Sequence, residues 1–433
     1  MGRLTTTLKR AGFWDDLVRR NPLFYSRARC ILSEFDQWSP ERRTSWVQER
    51  LQGILDAARR TPYGRRVSAP ASLERWPVLE KEQIRAEATA FFNAPEFLGV
   101  PASTSGTTGT PLRLLRSFES IAYEQAVLDH LFAQAGLDAA TCRVAVLRGD
   151  DIKPLADRNP PFWRLANNGR RLLFSTNHLD AQTVGDFVGA LREFAPHAIV
   201  AYPTALDPLC ALMAKRGERV SVPFTLCSSE VLTAETAAVA REVLNTHVVD
   251  YYGQAERVSF AYGNPFEGYR FLASYSVNEL VEVESTGDSS VCELISTGLW
   301  NKAMPLVRYR TGDRILLRRG SDPAAVAAGR ETFLGIIGRS EDYLVSPTGA
   351  RLIALNHVPR DVPGVLRMQF VQEAPDLVTV RLVPAPGFSD ESRKILLRQA
   401  ARKLPPSMHV RIELTTDLVR NSSGKAPLVI RRF

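Results

Sequence analysis

Residues 103–111 read STSGTTGTP, small hydroxyls and glycines with no charge among them. Such a loop can turn backbone N–H groups and hydroxyls toward an anion. It can equally be a solvated connector. A Walker loop needs Gly-x-x-x-x-Gly-Lys-Ser/Thr, in which the lysine meets the phosphates. Gly106-Thr107-Thr108-Gly109-Thr110-Pro111 has no lysine, so that reading fails, and the dinucleotide pattern Gly-x-Gly-x-x-Gly is absent too. If the loop holds phosphate, its positive charge must come from elsewhere.

Four further polar stretches, each with a glycine, follow in order. YYGQAER (251–257) ends an apolar run with aromatics and a carboxylate, and RYRTGD (308–313) ends another. GRSEDYLVSPTG spans 338–349, and NSSGK (421–425) lies near the C-terminus. Taken singly, each has an ordinary reading. Lys425 reads as a solvated tail lysine, Asp313 as the cap of a turn after Gly312, and Glu256 as an ion-pair partner for Arg257 or Lys302. Their order and spacing are far more specific than any one of them.

The elements that must carry these motifs are legible from periodicity. Ser39-Pro40-Glu41 is a helix start, a capping hydroxyl followed by proline in the first turn. Trp46, Leu51, Ile54, Leu55 and Ala58 follow at helical spacing, and this helix is expected to pack on the domain behind it. Apolar runs at 143–149, 171–175, 197–202, 224–230 and 246–253 read as buried strands. Helical stretches at 181–194, 204–216 and 233–244, the last capped by Thr233, separate several of them. This alternation predicts parallel α/β layers. From about 276, VNELVEVE, VCELIST, PLVRYRT and DRILLRR read as antiparallel strands. After Gly338 a third section is expected, with a helix at 389–403 and a strand at 408–414. The fold class is therefore α/β: a large N-terminal domain of α/β layers with an antiparallel β-subdomain, and a small α+β C-terminal domain. The boundaries are 1–338, with 1–70 a helical lead-in, and 343–433, joined by a hinge at 339–342.

At 433 residues the chain exceeds what one core usually serves. Its net charge of +8 is unevenly placed: residues 343–433 hold 14 Lys+Arg against 7 Asp+Glu, nearly the whole excess. Such a section is either a solvated basic face or a surface for a partner rich in phosphate or carboxylate. No basic–aromatic reading motif is visible, so nucleic acid is not the expected partner. The five cysteines are scattered and form no Cys-x-x-Cys pair, which fits a reducing compartment, and a cytoplasmic location is expected. Neither a transmembrane run nor the apolar core of a signal peptide is present, so no transmembrane segment is expected. The six histidines form no ligand spacing, and His178 or His197 could line a substrate pocket.

Taken together, the motifs resemble the ANL adenylate-forming superfamily of acyl-CoA synthetases, peptide-synthetase adenylation domains and luciferases. Within it the chain is most similar to the short phenylacetate–CoA ligase and CapK-like branch. SLERWPVLEKEQIR (72–85), SSEVL (228–232) and TGLWNKAMPLVRYRTGD (297–313) are further marks of that branch, and the resemblance covers roughly 70–433. It implies an AMP-forming acid–thiol ligase acting in two steps. A carboxylate attacks the α-phosphate of ATP, and a thiol of coenzyme A or a phosphopantetheine carrier then displaces AMP. An amine acceptor, and a non-catalytic relative, are the alternatives.

By the same resemblance, Thr104, Ser105, Gly106, Thr107, Thr108 and Gly109 hold the phosphates. Lys425 bridges the substrate carboxylate and the α-phosphate, taking the place of the missing Walker lysine. Glu256 binds Mg²⁺, a hard cation that prefers oxygen ligands. Tyr252 lies against adenine, Gly253 belongs to the same ATP/AMP-binding set, and Ser229 and Glu230 border the same pocket. Asp313 accepts from the ribose hydroxyls, Arg339 lies nearby and Asp342 is the hinge. Tyr202, Pro203 and Phe260 are expected in the acid pocket, which suggests an aryl or medium apolar acid. The expected partners are a carboxylic acid and coenzyme A or an acidic acyl carrier protein, with a homodimer left open. The sequence departs from the family at Ala255, where a hydroxyl is usual. The stretch in which some CapK-like relatives carry a Cys/His cluster has none here, so no structural zinc is expected.

Overall fold

The computed structural model of the chain describes residues 18–103, 112–150, 152–286, 288–337, 343–352, 355, 358, 359, 362–385, 387–419 and 427–433. They divide into two compact units. The first is built from the described residues of Met1–Thr104, Leu112–Thr141 and Asp250–Gly338, the second from those of Cys142–Val249 and Arg339–Phe433.

The first unit begins with helices α1 (Pro22–Glu34) and α2 (Pro40–Arg60). Ser39 caps α2 by accepting from Arg42 N at 3.2 Å, as its sequence predicts. Leu51, Ile54, Leu55 and Ala58 form its buried stripe. The same helix sets Trp46 against Trp300, with ring centroids 6.0 Å apart. Arg50 lies 3.9 Å over Trp300 and pairs with Glu119 at 3.0 Å. The lead-in thus packs on its own unit. Helix α3 (Lys81–Ala86) follows, with Glu80 and Gln83 forming a reciprocal cap. Strands β1 (Val100–Ser103) and β2 (Arg113–Arg116) pair antiparallel, with Ser103 opposite Arg113. Helix α4 (Phe118–Gln134) comes next.

The second unit opens with the α/β layers. Strands β3 (Val144–Leu147), β4 (Trp163–Ala166), β5 (Arg171–Phe174), β6 (Ala198–Ala201) and β7 (Phe224–Ser228) alternate with helices α5 (Val184–Phe194), α6 (Pro203–Arg216) and α7 (Ala234–Leu244). β5, β3, β6 and β7 run parallel in that order, and β4 adds an antiparallel edge. β6 and β7 are buried at every position, as a strand covered on both faces must be. Thr233 caps α7 by accepting from Thr236 N at 3.1 Å. Strand β8 (His247–Gly253) begins in this unit and ends in the first.

In the first unit β8 pairs with β9 (Phe260–Asn264), and β9 with β10 (Gly268–Phe271), all antiparallel. A four-stranded antiparallel sheet follows: β11 (Ser276–Thr286), β12 (Ser289–Gly298), β13 (Tyr309–Arg318) and β14 (Gly335–Ile337). The sequence suggests two strands across 305–319. The structure has one, because the interruption is a bulge. Glu293 faces Arg314 and Ile295 faces Arg310, so the three residues 311–313 stand against Leu294 alone and β13 carries two extra residues. Gly312, at φ +79°, supplies the left-handed residue that lets the strand bulge without ending.

The C-terminal part of the second unit contains a small hairpin, β15 (Leu344–Val345) and β16 (Arg351–Leu352), and a four-stranded sheet. Its strands β17 (Val365–Ala374), β18 (Leu377–Pro384), β19 (His409–Leu414) and β20 (Val429–Arg431) are ordered β19-β18-β17-β20. β18 and β19 are parallel, which demands a crossover, and helix α8 (Asp390–Ala401) supplies it. Phe370, Val380, Leu382 and Leu396 form the centre of its core. Two contacts join this part to the α/β layers inside the unit. Lys403, 3% exposed, donates from Nζ to Gly149 O at 2.7 Å, and Arg351 pairs with Asp207 at 2.7 Å. Among the described residues no helix is long and apolar enough to cross a membrane.

Candidate active site

In the first unit two motifs far apart in sequence meet. The YYGQAER motif leaves β8, and RYRTGD opens β13 across its bulge. Tyr252 donates from its hydroxyl to Asp313 Oδ2 at 2.6 Å. Tyr309 donates to Glu256 Oε1 at 2.8 Å. Gln254 donates from Nε2 to the Tyr252 hydroxyl, so the phenol is fixed from both sides. Loss of water, then the Asp313 charge, holds the Tyr252 phenol well above its ordinary range. Burial, then Glu256, does the same for Tyr309. Both remain neutral donors aimed at carboxylates.

Asp313 owes its placement to the bulge. Its N–H donates to Thr311 Oγ1 at 3.1 Å, and Thr311 Oγ1 donates to Leu294 O at 3.0 Å. Arg310, on the same strand, ties down its base by pairing with Glu80 at 2.9 Å and with Glu293.

Glu256 is 7% exposed and accepts from Lys81 Nζ at 3.2 Å as well as from Tyr309. Arg257, one of the partners the sequence offered it, pairs instead with Glu124 at 3.1 Å. Arg116, the last residue of β2, donates to Ala255 O at 2.6 Å. The strand that receives the hydroxyl-rich stretch is therefore bonded to the turn that carries Glu256. Nothing local marks Lys81 or Tyr309 as site residues, since each reaches Glu256 only through tertiary pairing.

Lys81 is the cation that balances this buried carboxylate, so its removal has a predictable effect. Lys81→Met leaves Glu256 with Tyr309 and, among the described residues, no ion pair. Because Lys81 is 33% exposed, the expected loss is about 1 kcal/mol of stability, read in a denaturant melt. An unchanged midpoint would show that water already balances Glu256.

Phe260 lies wholly in the packing, 1% exposed, stacked on Tyr251 with centroids 5.3 Å apart. Its side chain faces core rather than an open pocket.

In the second unit the candidate residues sit where the parallel strands end. Tyr202 follows β6, and its N–H donates to Leu147 O at 2.9 Å. Pro203 occupies the first turn of α6 and is buried. Ser229 follows β7 at φ +72°, a left-handed conformation uncommon for a residue with a side chain. Glu230 Oε2 accepts from Thr204 N at 2.9 Å and Thr204 Oγ1 at 2.6 Å, which caps the start of α6. Ligand-binding crevices lie at this edge of parallel sheets. His178 is fully buried, with Nδ1 2.8 Å from Ser175 Oγ, and burial, then Arg158, lowers its pKa. His197 Nδ1 accepts from Arg143 N at 2.9 Å.

Thr104, Ser105, Gly106, Thr107, Thr108, Gly109, Arg339, Asp342 and Lys425 lie outside the described residues. Among the described residues no three His, Cys, Asp or Glu side chains cluster as a metal cage. Glu256 alone suits a different mode, in which magnesium is held by one carboxylate and the phosphates of its nucleotide.

Comparison with known proteins gives four likenesses. Residues 344–432 match the family model described as the CapK C-terminal domain. The chain is 25% identical to Protein CapK of Staphylococcus aureus over 321 residues, 72% of this chain and 70% of that protein. It is 26% identical to phenylacetate–coenzyme A ligase of Thermus thermophilus over 187 residues, 41% of this chain and 40% of the ligase. Among solved structures, a 2-hydroxyisobutyryl-CoA ligase in complex with 2-HIB-AMP and CoA matches with a TM-score of 0.51 at 17% identity. That match covers 91% of this chain and 90% of the other, and the likeness is one of fold.

Proposed function

The chain belongs to the adenylate-forming superfamily, in its CapK and phenylacetate–CoA ligase branch, and from that premise we propose an ATP-dependent carboxylate ligase that makes a thioester. One observation supports the reading above the others: Tyr252 meets Asp313, and Tyr309 meets Glu256, although the two motifs are more than fifty residues apart.

In the first step a carboxylate oxygen of the acid attacks the α-phosphorus of ATP and pyrophosphate leaves. Negative charge develops around that phosphorus, so catalysis needs cations and N–H donors aimed there. The hydroxyl-rich loop would hold the phosphates, and Lys425 would supply the charge the loop lacks. Glu256 would receive magnesium, which neutralises phosphate charge. Asp313 would accept from the ribose hydroxyls. In the second step a thiolate attacks the acyl carbon, a thioester forms and AMP leaves. Residues 343–433 would swing about the segment 339–342 to withdraw Lys425 and admit the thiol, a domain-closure switch.

Coenzyme A is the leading acceptor. The basic charge of residues 343–433 favours a second one, an acidic carrier protein. The test is ATP–pyrophosphate exchange with a panel of carboxylic acids, then thioester formation with coenzyme A and with a carrier protein at low and high salt. No exchange with any acid would remove the ligase reading. A carrier-protein KM that does not move with salt would remove the electrostatic one.

A further inference from the structure

Half-buried arginines in this protein are generally matched to carboxylates. Arg20 pairs with Asp129 at 2.8 Å, Arg50 with Glu119 at 3.0 Å, Arg257 with Glu124 at 3.1 Å, and Arg308 with Glu279 at 2.7 Å. Where a carboxylate is missing, backbone carbonyls substitute: Arg116 donates to Ala255 O at 2.6 Å and Arg143 to Ala195 O at 2.7 Å. Arg148 has neither. Its hydrogen bond among the described residues is a long one, from Nη2 to Ser228 Oγ at 3.4 Å. Its Nε is shut off from solvent and has no partner among the described residues.

The position of this guanidinium is as telling as its lack of partners. Arg148 directly follows β3, Tyr202 directly follows β6, and Leu147 and Ala201 are paired neighbours on those parallel strands. Ser228 ends the next strand, β7. Three adjacent strands thus deliver Arg148, Tyr202 and Ser228 to the carboxyl edge of one parallel sheet, where such sheets take ligands. The guanidinium carbon lies 5.7 Å from the Tyr202 ring centroid, a cation–π contact that steadies it. The next residue, Gly149, stands at φ +72°, and its carbonyl is held by the buried Lys403. Glu230, two residues after Ser228, is engaged in capping α6. Among the described residues the arginine is therefore positioned without a counter-ion, which is the state of a group that awaits an anion. A guanidinium presents a planar fork of N–H donors that fits a carboxylate bidentately.

We propose that Arg148 is a specificity-determining residue that binds a second carboxylate on the acid substrate, so that the substrate class is a dicarboxylic acid. The proposal rests on the ligase reading for which carboxylate is activated. It adds that the other carboxylate sits on Arg148, with Tyr202 behind it.

The test uses the full-length protein and matched acids, each a dicarboxylic acid beside its monomethyl ester, in ATP–pyrophosphate exchange. Wild-type protein is expected to favour the diacid. Arg148→Met should cut kcat/KM for diacids by about 100-fold, the scale of a lost charged hydrogen-bonding pair, leave the KM for ATP in place and reverse the preference toward the monoester. Arg148→Lys, which keeps the charge without the fork, should recover part of the diacid activity. Equal loss with diacid and monoester, or a raised KM for ATP, overturns the proposal and places Arg148 on the nucleotide. If no acid supports exchange, the ligase reading falls, and calorimetric titration of the same acids decides the proposal separately. Diacid binding that Arg148→Met abolishes upholds it, and equal or absent binding to both proteins overturns it.

Discussion

Lys425→Ala is expected to slow adenylate formation by about a thousandfold or more, while thioester formation from a supplied acyl-adenylate stays within a few-fold of wild type. The reasoning is electrostatic. A carboxylate must approach a triphosphate, so two anions are forced together and charge then grows on the α-phosphate oxygens. A hydroxyl-and-glycine loop supplies dipoles but no net charge, and a cation has to be brought to it. Lys425, after Gly424 in NSSGK, is the candidate that the sequence offers. In the second half-reaction the bond that breaks is the acyl–phosphate bond of a finished adenylate, and no second anion has to be driven onto phosphate. The measurement is pyrophosphate release against single-turnover thioester formation from synthetic acyl-adenylate. Equal loss in both half-reactions would sink the assignment and point to a folding defect or a shared role.

The second large effect belongs to Asp313. Asp313→Ala removes an acceptor that would take both ribose hydroxyls and that already holds the Tyr252 hydroxyl at 2.6 Å. Hydrogen bonds to a charged acceptor contribute about 1.5–3 kcal/mol each, so the loss of two corresponds to at least a hundredfold rise in KM for ATP. The KM for the acid should change far less, because the deficit is in nucleotide binding. Tyr252→Phe keeps the ring and removes only the hydroxyl, and its expected cost is no more than about tenfold. A KM for ATP that is unmoved in Asp313→Ala would remove Asp313 from the nucleotide site. Its bond to Tyr252 would then be purely architectural.

Much of the architecture can be read from local pattern, for a physical reason. Apolar runs that must be covered on both faces, such as Ala198–Ala201 and Phe224–Ser228, announce buried parallel strands. Capping groups such as Ser39 and Thr233 act within three residues of themselves, so their helix starts are local facts. The motifs around Glu256 and Asp313 were likewise visible, because glycine and carboxylate at a strand end are local features. The strand across Thr311-Gly312-Asp313 was not: its continuity depends on β12, which pairs past the bulge.

The partners of the site residues were decided only by the tertiary structure. Glu256 had Arg257 beside it and Lys302 as a second option, yet its cation is Lys81, which lies 175 residues earlier in the chain. Phe260 reads as a possible pocket aromatic and is core, because the faces of β9 are set by what packs on them. Arg148 is one arginine among many in the sequence. Nothing local distinguishes it, since an ion pair or its absence is a property of what surrounds a side chain in space. The sequence by itself determined which chemistry the chain could carry and which elements would carry it. The folded chain decided which charges neutralise one another and, among the described residues, left Arg148 without a carboxylate at the edge of the sheet.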